Sequence, residues 1–260
     1  MLRGGAIAGA GLAGAALIGC SSGPKKSVND AAPKSASTPA SAAVAPQAER
    51  AGMPVVKGTP KKGGTFTQQL TETNVQHDQH TAVSNSEWMI IGQRALELDE
   101  WTGKLRPNLI ESWEIPDKNT FVLKVRKGIK MHNRAPWNGR EFDAADIAWN
   151  LNRIAGNTAD AEKLPQGSFQ RRTTLEGMGK VEAIDKSTVK VTMAKPNSAF
   201  LNGITEIRNQ MMPKEIVDIG FKDPMKFGGV GPYMITEYAE GTREVYSRHE
   251  GYHRAGEPFF

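Results

Sequence analysis

The run Val75-Gln76-His77-Asp78-Gln79-His80 places two imidazoles and a carboxylate within four residues, a density of donor atoms that could serve a transition metal. Backbone geometry limits what they can do together. On a strand, Asp78 and His80 share a face while His77 points away; on a helix, His77 and His80 align. A working site needs three or four ligands with outer partners to orient them. The surrounding stretch, TETNVQHDQHTAVSNS, is polar, so the run reads as a solvated loop and no metal is assigned to it. Glu97, Asp99 and Glu100 form a second acidic group that a charged turn explains. His132 reads as a packed or capping histidine, and Trp101, Trp113, Trp137 and Trp149 read as core or loop anchors. No P-loop, GxSxG elbow or HExxH occurs, and no nucleophile stands beside a base. The expectation is therefore no catalysis and no cofactor.

Cys20 is the only cysteine in 260 residues, which excludes an internal disulfide and a multi-thiolate metal site. Upstream, MLRGGAIAGAGLAGAALIG has one cation, Arg3, and then an uncharged run of small and apolar residues from Gly4 to Gly19, the layout of a secretory signal. A spanning helix needs about 18 or more predominantly apolar residues, and this run is shorter and diluted by glycine. Leu17-Ile18-Gly19-Cys20 resembles the lipobox of bacterial lipoproteins, which implies cleavage before Cys20 and a lipid on its thiol. LRGGAIAGAGLAGAALIGC also resembles the tail of a twin-arginine signal. Residues 1–19 are thus expected to be a lipoprotein signal peptide, and 20–62 a lipid-anchored disordered linker. That linker is rich in Ser, Ala, Pro and Lys and has almost no large apolar side chain to bury.

The linker also accounts for the charge. The chain is formally +5, yet residues 1–62 hold eight Lys and Arg against two acids, which leaves the remainder at −1. A near-neutral folded part gives no support to nucleic-acid binding. Lysines of the linker suit a position near anionic headgroups.

From Gly63 onward the composition is globular. Residues 64–70 (GTFTQQL) are expected to form a first strand, and residues 87–97 a helix, with Trp88, Ile91, Ala95 and Leu98 at helical spacing. LDEWTGKLRP reads as a hairpin turning at Thr102-Gly103. WEIPDKNTFVLKVRKG reads as a second, turning at 116–119, with Phe121, Leu123 and Val125 on one face. VEAIDKSTVKVTM and GPYMITEYAEGTREVYSRH supply a third and a fourth. FDAADIAWNLNRI predicts an amphipathic helix with Asp143 as N-cap, Asp146 in the first turn and Ile147, Leu151 and Ile154 as its apolar stripe. Hairpins interleaved with helices indicate a mixed α/β (α+β) fold.

Five segments occur in a telling order: GGTFTQQL, TGKLRPNLIESWEI, FVLKVRKGIKMHN, FDAADIAWNLNRI, and GVGPYMITEY with EGYHRAGEPFF. Together they resemble family 5 of the extracellular solute-binding proteins, the peptide and nickel binding subunits of ABC importers. The resemblance runs through most of 63–260. It implies a periplasmic-binding-protein-like fold of which this chain carries the first lobe only, because family members are longer and the pattern continues past GEPFF. MHNRAPWNGREFD is longer than the commoner family pattern, which places residues 138–141 in a subgroup-specific loop. In the family the loop after the first strand lines the cleft, which makes Thr71, Glu72, Thr73, Asn74 and His77 the expected ligand contacts. The resemblance further implies capture of a peptide or related small solute outside the cytoplasmic membrane. Its partners would be an ABC permease and ATPase, and the membrane itself through the lipid. Two other classes stand beside this one. A lipid-anchored envelope hydrolase would need the acids of 141–146 for general acid–base work. A non-transporting sensor lipoprotein would need neither.

Overall fold

The computed structural model describes residues 61–69, 76–83, 86–165 and 167–258. The expected signal peptide, Cys20, nearly all of the linker, and Thr71, Glu72, Thr73 and Asn74 lie outside these residues.

The element order is α1 (Ser86–Ile91), β1 (Gln93–Arg94), β2 (Leu96–Leu98), β3 (Leu105–Pro107), β4 (Ile110–Asp117), β5 (Thr120–Val125) and α2 (Ala144–Ile154). Then come β6 (Met178–Asp185), β7 (Thr188–Met193), α3 (Phe200–Gly203), β8 (Gln210–Met211), α4 (Ile216–Ile219), β9 (Tyr233–Ala239) and β10 (Arg243–Arg248). The central sheet runs β4-β5-β7-β6, antiparallel throughout. Its register lines up Trp113, Leu123, Val189 and Ala183 in one row, and Phe121, Val191 and Val181 in the next. Those rows form the apolar face, over which α2 packs through β6 and β7. The alternate residues, among them Glu114, Lys190 and Glu182, share the polar face, as period-two alternation requires. Among the described residues no helix is long and apolar enough to cross a membrane.

All four expected hairpins form. β2 pairs with β3, β4 with β5, β6 with β7 and β9 with β10, each antiparallel. The second turns later than expected, because β4 extends through Pro116 to Asp117 and Asp117 pairs with Thr120. Helix α2 begins where the sequence places it. The Asp143 side chain accepts from the Ala145 N–H at 2.9 Å, and Asp146 reaches back to the Asp143 N–H at 3.1 Å, closing a capping box.

Two expectations fail. Residues 64–69 form no strand and are exposed. A strand exists through its ladder, and no described strand pairs with this segment. The helix expected over 87–97 stops at Ile91, after which the chain enters β1 and β2. Continuing the helix would require the Ile91 carbonyl to accept from Ala95, but it accepts from the Gly231 N–H at 2.8 Å instead. The Ala95 carbonyl likewise accepts from the Ile110 N–H at 2.9 Å. Bonds to distant segments replace the next helical turn.

Candidate functional site

The turn that begins at His77 is buried, not solvated: His77, Asp78, Gln79, His80 and Thr81 are all enclosed. Its own backbone starts the fold of the turn, with the Asp78 carbonyl accepting from Thr81 N–H at 3.0 Å and Ala82 N–H at 2.7 Å. The Asp78 carboxylate takes the His80 N–H at 3.1 Å. Burying so polar a segment is costly where its groups go without partners, and its charged groups take theirs from far along the chain.

Arg153, 1% exposed, grips Asp78 through both terminal nitrogens at 2.8 and 2.6 Å, while its Nε donates to Asp160 at 2.7 Å. Three rings, those of Trp149, Phe169 and Phe221, surround its guanidinium with centroids at 5.1–5.7 Å. Burial alone would lower the pKa of Arg153; the hydrogen bonds and charges of Asp78 and Asp160 outweigh it and raise the value. Arg171 donates to the Ala82 carbonyl at 2.8 Å and to the Gln79 carbonyl. His80 Nε2 donates to the Gln210 carbonyl at 3.1 Å. Burial, then the charge of Arg153, holds the pKa of His80 well below the usual histidine value, so this ring is neutral.

His77 faces the other way. Its Nδ1 lies 2.9 Å from Glu87 Oε1, its carbonyl accepts from Trp88 Nε1 at 2.8 Å, and its ring meets Phe227 and Tyr238 edge-on at 6.0 and 5.7 Å. Across from it, Tyr246 Oη donates to Glu244 at 2.5 Å. Burial, and the charge of Glu87, raise the pKa of Glu244 despite that bond and the nearby His77. Tyr238 is raised by burial and by the charges of Glu87, Glu240 and Glu244. His77 therefore sits in an acidic and phenolic cluster built by α1 and the β9–β10 hairpin. Such a cluster favours hydrogen-bond donors and positive charge.

The structure thus separates the three residues that the sequence grouped as possible metal ligands. Asp78 belongs to Arg153, His80 to Gln210 and His77 to Glu87. Among the described residues no group of three His, Cys, Asp or Glu could hold a metal ion. Asp146, which a hydrolase would need free, is equally committed: Arg140 donates to both its oxygens at 2.7 and 2.8 Å and also to Glu215 at 2.7 Å. His132 is packed as expected, and Trp137 is core, whereas Trp101 stands 56% exposed at the β2–β3 turn.

Sequence reading missed Glu87, Arg153, Arg171, Tyr238 and Glu244. One signal was available. Asp146, Asn150 and Arg153 follow one another at i, i+4 and i+7, the spacing of a helix face, and all three are buried. Asn150 both donates to the Met212 carbonyl at 2.7 Å and accepts from its N–H at 2.8 Å. This polar stripe beside the apolar one seats two remote segments on α2.

Residues 104–260 match the model of a family described as bacterial extracellular solute-binding proteins, family 5 Middle. The dipeptide-binding protein of Escherichia coli (strain K12) is 28% identical over 173 residues, which cover 61% of this chain and 32% of that protein. Among solved structures, the oligopeptide-binding protein AppA of Bacillus subtilis, in complex with a nonapeptide, superposes with a TM-score of 0.61 at 17% identity, covering 75% of this chain and 38% of that one. NikZ of Campylobacter jejuni, in complex with Ni(L-His), gives a TM-score of 0.54 at 20% identity, covering 70% of this chain and 35% of that one. The fold is therefore a mixed α/β fold of the periplasmic-binding-protein kind, and the chain spans about a third of the length of the curated relative.

Proposed function

The chain belongs to the bacterial extracellular solute-binding proteins of family 5, and from that premise we propose that it is the lipid-anchored, extracytoplasmic solute-binding component of an ABC importer. It captures peptides or a related small solute without covalent chemistry and hands them to a membrane permease. The observation that carries this reading is the family match over residues 104–260, which takes in the central sheet, α2 and the β9–β10 hairpin. The names of similar proteins, a dipeptide-binding protein and structures with a nonapeptide or Ni(L-His) bound, support peptides and a nickel chelate as candidate solutes. Thr71, Glu72, Thr73, Asn74 and His77 form the proposed contact loop. His77 ends that loop near the half-buried Tyr238 and Glu244, whose phenol and carboxylate oxygens suit the donor groups of a peptide. Deleting the gene is expected to abolish uptake of one labelled peptide or chelate class while leaving unrelated solutes unaffected. Unchanged uptake across panels of peptides and nickel chelates would count against the reading.

The anchor is proposed at Cys20, at the end of the Leu17-Ile18-Gly19-Cys20 run. Cys20→Ala is expected to move the protein from the membrane pellet to the soluble fraction, or to leave it as unprocessed precursor. A variant that stays in the pellet and migrates like the wild type refutes the lipid.

A further inference from the structure

Residues 228–232 cross the C-terminal end of α1 and are fastened there by two imidazoles. The Gly231 N–H donates to the Ile91 carbonyl at 2.8 Å, and Val230 between the glycines is buried. A Cβ at Gly229 would lie 2.1 Å from the Ile91 oxygen and one at Gly231 2.5 Å from the Ile90 oxygen, so only glycine permits this approach. His132 binds the crossing segment three times. Its N–H donates to the Gly229 carbonyl at 2.9 Å, its Nδ1 accepts from the Gly229 N–H at 3.1 Å, and its Nε2 lies 3.1 Å from the Gly231 carbonyl. His249, just past β10, sets its Nδ1 3.1 Å from the same carbonyl, and its N–H donates to Pro232 at 2.8 Å. The two rings meet edge to face at 4.7 Å.

These bonds determine where the protons are. A backbone amide only donates, so Nδ1 of His132 carries no proton; a carbonyl only accepts, so Nε2 carries one. A second proton on His132 would set two donors against each other at Gly229 and create a buried charge beside His249. The neighbours do not relieve that charge. Arg134 faces His132; His253 faces His249, with Arg126 and Arg254 around His253; Glu250 beside His249 opposes them, and Glu97 and Glu257 pair with Arg254. Burial, then the proximity of His249, brings the pKa of His132 down to about 3.

We propose that the His132–Gly229 bond is an acid-opened latch, in which uptake of one proton by His132 releases residues 228–232 from α1 and loosens the β9–β10 hairpin that follows. β9 packs on α1 and carries Tyr238, so the latch also holds one wall of the cluster around His77. The latch rests on the fold and does not depend on which solute is bound. A proton excluded from the closed form and accepted by the open form at the ordinary histidine pKa of about 6.5 raises the opening constant about tenfold per pH unit below that value. The closed form is thus at full strength above that pH and loses it as the pH falls toward 3.

Native-state hydrogen exchange at the Gly229 and Gly231 amides of the full chain, corrected for intrinsic exchange, tests this. Protection is expected to hold from about pH 7.5 to 6.5 and to drop about 100-fold by about pH 4.5. His132→Asn, whose side-chain oxygen can accept the Gly229 N–H without titrating, is expected to flatten the profile, while His253→Gln keeps it. A flat wild-type profile, or a slope that survives His132→Asn or vanishes in His253→Gln, overturns the latch. Should His132→Asn not fold, imidazole nitrogen NMR of the wild type decides. Neutral Nε2–H at pH 7, with protonation tracking the loss of Gly229 protection, supports the latch; protonation with Gly229 still protected overturns it.

Discussion

Arg153→Ala is expected to lower the free energy of unfolding by about 3–5 kcal/mol, the cost of stranding a buried charge by deleting its partner. Asp78 would be left inside the protein with its carboxylate facing a void, and Asp160 would lose its contact at 2.7 Å. The three aromatic rings around the guanidinium would lose their packing as well. Arg153→Lys restores the charge but cannot make the fork to Asp78 and the Nε bond to Asp160 at once, so an intermediate loss is expected. Urea unfolding followed by tryptophan fluorescence measures both. A loss below about 1 kcal/mol for Arg153→Ala, the range of solvent-exposed pairs, would mean that water reaches Asp78.

Trp88→Ala is expected to cost about 3–5 kcal/mol, the range for removing a large aromatic side chain from a packed core. Trp88 is fully buried, stacks on Phe227 with centroids 5.3 Å apart and donates to the His77 carbonyl at 2.8 Å. Trp88→Phe separates these contributions. It keeps most of the apolar volume and loses the hydrogen bond, with an expected cost of about 1 kcal/mol or somewhat more, because the His77 carbonyl stays buried. Thermal unfolding of the two variants side by side gives the split. Equal losses would show that the indole N–H, and not the ring, anchors the His77 turn.

The parts of this protein whose causes are local were legible from the chain itself. Phe121, Leu123 and Val125 alternate, so β5 had to present one apolar face wherever its neighbours came from. Asp143 and Asp146 start α2 through bonds that span three residues, and Glu240-Gly241 turns the last hairpin. The ordered motifs from GGTFTQQL to EGYHRAGEPFF carried the family. What the chain could not announce were partners contributed from far away. The apolar spacing of Trp88 and Ile91 runs on to Ala95 and Leu98, yet the Ile91 carbonyl bonds Gly231, and α1 ends there. Residues 64–69 have strand composition and no described strand to pair with. His77 to Thr81 look like a solvated loop because every side chain is polar. They are buried because Arg153, 75 residues on, neutralises Asp78, while Arg171 meets the Gln79 and Ala82 carbonyls and the Gln210 carbonyl meets the His80 ring. A short polar run shows its hydrogen-bonding capacity but not its partners. Tertiary contact decided whether that capacity met water or a buried cation, because burial is tolerable only once the counter-charge is in place.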